Sequence, residues 1–126
     1  MRTRSSQSGQ VLIEFAIAAV VLFWTVLAII EFGRAYYYYS AMTFAVQEGV
    51  RFAITAPSAD RSSQTQARVL SRAAAMGVAL DATPSVSCGA CESGNPVLVT
   101  AITHFRPLVP GIGTLTLHAS ATGYLE

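Results

Sequence analysis

Between Val11 and Ile30 the chain reads VLIEFAIAAVVLFWTVLAII, twenty residues with a single charged side chain, Glu14. At about 1.5 Å per residue, a helix of that length matches the ~30 Å hydrocarbon core of a bilayer. A core helix this apolar would need wrapping on all sides, and a chain of 126 residues leaves too little to do it. A secretory signal would be shorter and followed by a polar, small-residue cleavage region. Arg2 and Arg4 supply its basic start, but after Ile30 the chain runs on as EFGRAYYYYSAMTFAVQEGVRFAIT without a turn. The run therefore reads as a membrane-spanning helix, or as one that spans first and is later drawn into an assembly. Arg2 and Arg4 precede it and the next arginine is Arg34, which predicts a cytoplasmic N-terminus and an extracytoplasmic remainder.

Composition supports this reading. Hydrophobic residues make up 52% and charged residues 12%, against roughly 25% charged in an ordinary globular domain. All basic residues are arginine, the net charge is +1, and no block of like charge occurs, which argues against a nucleic-acid partner. The length allows one small domain beside the span.

No proline interrupts residues 10–56, so the helix is expected to continue past the membrane until Pro57 ends it. Residues 10–55 as one helix would be roughly 70 Å long. Phe32, Tyr36, Tyr39, Thr43, Val46, Val50 and Ala53 fall on one face at i, i+4, i+3 steps. Glu31 with Arg34, and Glu48 with Arg51, are spaced for i, i+3 ion pairs. A loop, APSADRSS, then leads to a second helix with Ser62 or Ser63 as cap, a face of Ala67, Leu70, Ala74 and Gly77, and a stop at Gly77.

From Thr83 the period changes to two. PSVSC and VLVTAITHF read as strands joined through CGACESGNP, and PLVPGIG is a connection because proline lacks the amide donor. In TLTLHASATGY, Leu115, Leu117, Ala119 and Ala121 share one face, and Thr114, Thr116, His118 and Ser120 the other. The expected fold class is α+β: a long N-terminal helix, transmembrane then amphipathic, a short helix, and a small three-stranded antiparallel sheet. The aromatic stripe of the first helix is expected to cover the sheet's apolar face.

Three stretches, GQVLIEFA, IIEFGRAYYYYSAMTFAVQEGVRFA and FRPLVPGIGTLTLHASATGYLE, resemble the TadE-like family, pilin-like components of tight-adherence (type IVc) pilus systems. The resemblance implies a type IV pilin-like layout: a leader at 1–9, a long helix at 10–56 (transmembrane 11–30, outer half 31–56) and a head at 57–126. It implies cleavage by prepilin peptidase between Gly9 and Gln10. Gln10 then carries a new amine, and Glu14 stands at the fifth mature position. Phe15 occupies a place where related short pilins usually carry tyrosine, a mild departure. Implied partners are prepilin peptidase, other pilins and pseudopilins of the same system, an inner-membrane assembly platform and lipid, with no cofactor.

The resemblance also gives Glu14 a purpose. A carboxylate at the edge of a hydrocarbon-spanning helix is expensive unless paired. A neighbouring subunit's new amine could pair with it, contributing register more than net stability. Favourable placement near a helix N-terminus is the simpler alternative. Ala16, Ala18, Ala19 and Ala28 would permit close helix approach, or simply face lipid.

Outside the cytoplasm Cys88 and Cys91 are expected to form a local disulfide at the strand junction. A redox pair and free thiols remain open, although no βαβ pattern surrounds the motif. His104 and His118 lie on strands and suggest no metal site. No nucleophile–base set or phosphate loop is present, and Glu14, Glu31 and Glu48 are seventeen residues apart, so no enzyme is expected. Two alternatives to a tight-adherence pilin are a type II secretion pseudopilin and an uncleaved single-span protein with a small binding or redox head.

Overall fold

The computed structural model describes residues 5–57, 60–89, 91–109, 111 and 113–125, with side chains from Gly9 onward. Its elements run α1 (Ser5–Thr55), α2 (Arg61–Ala75), β1 (Ser85–Cys88), β2 (Pro96–Phe105) and β3 (Leu115–Tyr124). This is the expected α+β order. Residues 1–4 of the expected leader lie outside the described residues, while 5–9 belong to α1. The chain forms two compact units, Met1–Arg34 and Ala35–Glu126, with the helical backbone of α1 continuous through the boundary.

In the first unit, α1 is one helix long and apolar enough to cross a membrane. Every residue from Val11 to Val26 is exposed, so nothing in the described chain covers this surface. The one hydroxyl in the run is satisfied within the helix, because Thr25 Oγ1 donates to Val21 O at 2.8 Å. A hydroxyl paired in this way costs little in hydrocarbon.

In the second unit, β1-β2-β3 form an antiparallel sheet in chain order. Val97, Val99, Ala101, Thr103 and Phe105 of β2 point to the buried side, and Leu117, Ala119 and Ala121 of β3, the residues alternation placed on one face, join them.

The covering face of α1 is not the predicted one. Phe32, Tyr36 and Tyr39 are exposed, and Thr43 only half-buried, while the core takes Ala41, Met42, Ala45, Val46, Val50 and Ala53. Ala41, Ala45, Gly49 and Ala53 recur every four residues and form a ridge of small side chains. That ridge lets the helix approach its neighbours closely: a Cβ on Gly49 would overlap Val69 Cγ2 of α2. Tyrosine rings along the same line would hold the layers apart. Only the lower end of the predicted stripe, Val46, Val50 and Ala53, is buried. Tyr38 supplies the aromatic contact instead, edge-on to Phe105 at 5.4 Å.

The second helix is likewise rotated from expectation. Thr65, Val69 and Ala73 are buried, whereas Ala67, Leu70 and Ala74 are exposed. A valine whose branched side chain fills the gap above Gly49 outweighs a row of alanines that would bury little area. Asp60, not Ser62 or Ser63, is the N-cap residue; no side chain caps the helix, and Ser63 Oγ donates back to Asp60 O at 3.0 Å. The predicted stop holds. Gly77 has φ +73°, its amide bonds Ala74 O, and that of Val78 bonds Ala73 O, the paired closure that a left-handed residue after a helix permits.

Candidate functional site

The spacing that draws attention to the N-terminus lies on helix. Gly9 and Gln10 are exposed, and Glu14 follows one turn after Gln10 on the same face. The Gln10 side-chain amide donates to Glu14 Oε1 at 3.2 Å. Phe15 beside it is 71% exposed. Among the described residues, the hydrogen-bond donor to the exposed Glu14 carboxylate is thus this neutral amide. Toward the other end of the apolar run, Glu31 is buried and accepts from Arg34 Nη1 at 2.9 Å, the predicted i, i+3 pair. Among the described residues no ion pair joins Glu48 and Arg51.

Cys88 closes β1, and its sulfur stands at disulfide distance from that of Cys91, with the Cα atoms 5.1 Å apart. Cys91 has φ +52°, a conformation seldom taken by residues other than glycine and asparagine. The motif thus sits in a strand-to-turn junction and not at a helix N-terminus, where thiolates are stabilised. The junction is anchored from α2: Arg61 donates to Cys91 O at 3.3 Å and to Ala56 O at 2.9 and 3.2 Å, tying the end of α1 to the turn.

His104 lies on β2 and His118 on β3, as expected, both exposed. His104 has a partner that the sequence did not disclose. Asp81 Oδ2 accepts the backbone amide of His104 at 2.6 Å and contacts Nδ1 at 3.0 Å, and Thr103 Oγ1 donates to it at 3.3 Å. These donors, the backbone amide foremost, hold the Asp81 carboxyl below the usual carboxylate range. The signal that could have found it is the register: Ser85↔Thr100, continued backward, sets Asp81 opposite His104. Among the described residues no cluster of three or more His, Cys, Asp or Glu is placed to hold a metal. An open groove of about 510 Å³ lies between α1 and α2, lined by Phe52, Gln64, Ala67, Arg68 and Ser71, with the Arg68 guanidinium 5.2 Å from the centre of the Phe52 ring.

The described chain thus combines an exposed apolar helix of membrane-spanning length with a small α+β unit. The comparison with family models agrees: the model described as TadE-like protein matches residues 9–51. The match begins at Gly9, takes in Gln10, Glu14 and Phe15, and ends in the part of α1 that enters the core. The likeness is to the TadE-like family and covers this stretch of α1, about a third of the chain. No curated protein and no solved structure gives a significant match.

Proposed function

We propose that this chain is a minor pilin or pseudopilin of a tight-adherence pilus. The observation that carries the reading is Gly9-Gln10 followed one turn later by Glu14, at the head of a TadE-like helix whose apolar surface the chain leaves uncovered. Prepilin peptidase cuts after Gly9, and the amine released at Gln10 becomes a cation beside the span. The helix holds the subunit in the inner membrane as a single pass, N-terminus cytoplasmic and head extracytoplasmic. Other pilins and pseudopilins replace lipid around it when the assembly platform moves it into a filament, and the subunit then serves initiation, assembly or surface adhesion.

Two features support this mechanism. An uncovered apolar helix is satisfied equally by acyl chains or by helices of its own kind, so transfer between the two carries little hydrophobic penalty. Glu14 in a bundle of such helices is costly unless a neighbour's amine meets it, so misaligned packing is penalised. The disulfide and the clamp from Arg61 stiffen the head in an oxidising compartment.

Mass spectrometry of the protein taken from its native membrane tests the reading directly. The mature chain should begin at Gln10, with or without an added methyl group, and Gly9→Ala should leave residues 1–9 attached. A wild-type mature protein that retains those residues would replace this reading with an uncleaved membrane-anchored protein.

A further inference from the structure

Beside the close contact of α1 and α2 at Gly49 and Val69, the two helices leave an open groove of about 510 Å³, lined by Phe52, Gln64, Ala67, Arg68 and Ser71. Phe52 and Ala67 give it an apolar part, and α2 gives it hydrogen-bond donors. Gln64, Arg68 and Arg72 recur every four residues and form a row along the exposed side of α2. The Arg68 guanidinium lies 5.2 Å from the centre of the Phe52 ring, an attraction between cation and ring face that leaves N–H donors over. Among the described residues no acceptor meets the side-chain donors of Gln64, Arg68 or Arg72, whereas Arg61 donates to Ala56 O and Cys91 O. The Ser71 hydroxyl proton goes to Arg68 O. No Asp or Glu occurs in α2, and Glu48, one turn before Phe52 on α1, makes no ion pair with Arg68 or Arg72 among the described residues.

A guanidinium is a planar fork of donors, and a carboxylate matches that fork with both of its oxygens. We propose that the groove is a docking site for a short acidic segment of a different protein, whose Asp or Glu carboxylate pairs with Arg68 while a neighbouring apolar side chain covers Phe52 and Ala67. Arg72, one turn further along α2, adds a second positive charge that favours the same occupant. A polypeptide segment fits because charge and apolar surface adjoin in a groove, which a flat layer of lipid headgroups would bridge without filling. A second copy fits poorly. In the unit that carries the groove, Ala35–Glu126, Asp81 is paired to His104, and Glu48, Asp60 and Glu92 lack a large apolar neighbour in sequence. Among its described residues this unit therefore offers no such segment to another copy.

Nuclear magnetic resonance on the whole chain in nanodiscs of uncharged phosphatidylcholine tests the site, read from the arginine Nε–H groups and the backbone amides of Ala67 and Ser71. The probe is the capped pentapeptide Ala-Leu-Glu-Leu-Ala, and the control carries Gln in place of Glu. Titration with the probe should shift the Arg68 signal and leave that of Arg61 in place, and the control should bind about tenfold more weakly. Arg68→Lys keeps the charge and loses the fork, so the probe should bind it several-fold more weakly, and Arg68→Gln should abolish binding. Slow amide exchange at Val69 and Ala73 shows in each variant that the helices remain packed. The proposal fails if the wild type does not respond at about 10 mM probe, if the two peptides bind alike, or if Arg68→Gln binds as the wild type does. Arg68 shifts that arise without peptide, on raising the protein concentration or on replacing the lipid with anionic phosphatidylglycerol, assign the groove to a second copy or to a membrane surface and overturn it as well.

Discussion

Asp81 completes the β1–β2 ladder with its side chain, its carboxylate accepting the His104 amide at 2.6 Å where the backbone of β1 no longer reaches. The pair is half-exposed, so its effect is on local order and pH response more than on overall stability. Because hydrogen bonds from His104 hold the folded carboxyl below its unfolded value of about 3.9, the unfolded chain takes up the proton first on acidification. The stabilisation is therefore complete above roughly pH 4 and is lost as pH falls through the folded value. Melting temperatures measured between about pH 5 and pH 2.5 should fall more steeply for the wild type than for Asp81→Asn. Parallel curves would remove this carboxylate from the acid response.

Gly49 and Gly33 lie on the same helix and should respond oppositely to alanine. Alanine in a helix interior is worth about 1 kcal/mol over glycine. At Gly33 a Cβ meets nothing within 4 Å, so Gly33→Ala should be neutral to stabilising. At Gly49 the new methyl runs into Val69, a buried branched side chain with few alternatives, and overpacking of this kind costs about 1–3 kcal/mol. Gly49→Ala should lose about 1 kcal/mol net, read from denaturant melts in detergent.

Thr65 offers a stabilising change. Its Oγ1 is buried without a hydrogen-bond partner among the described residues. Thr65→Val keeps the shape and removes the unsatisfied hydroxyl, so a gain of about 1 kcal/mol is expected. A loss of stability would reveal a partner for that oxygen.

Reduction of the cysteine bridge should be tolerated. The bond joins positions only three apart, and so short a loop restrains little of the unfolded chain, about 1–2 kcal/mol on the entropic model. Cys88→Ser with Cys91→Ser should lower the melting point by several degrees and leave the strands in place. Exchange should quicken mainly between Cys88 and Asn95, and a head that failed to fold would show that the bridge is essential.

Glu14→Ala should leave membrane insertion intact, since it removes the one charge from the span. On the proposed function, surface piliation should drop, because a bundle that no longer rewards correct stagger loses its register. Normal pilus numbers on cells carrying only this variant would sink the assembly role.

The linear order of residues by itself determined what local rules decide. A twenty-residue run with eighteen apolar side chains dictates a helix that cannot stay in water uncovered, Pro57 and Gly77 end helices through backbone geometry, and alternation sets which side of β3 is buried. The placement of Gly9, Gln10 and Glu14 on one helix is legible for the same reason, since they are near neighbours along the chain. Only the tertiary structure decided which face of each helix turns inward. Spacing made Tyr36 and Tyr39 equivalent to Val46 and Val50, and the choice fell to the ridge of Ala41, Ala45 and Gly49 because the gap left by Val69 and β2 admits small side chains and excludes rings. Asp81 and His104 could meet only once β1 had found its register. The approach of Arg68 to Phe52 likewise depends on how α2 packs on α1, which is set by contacts between distant residues.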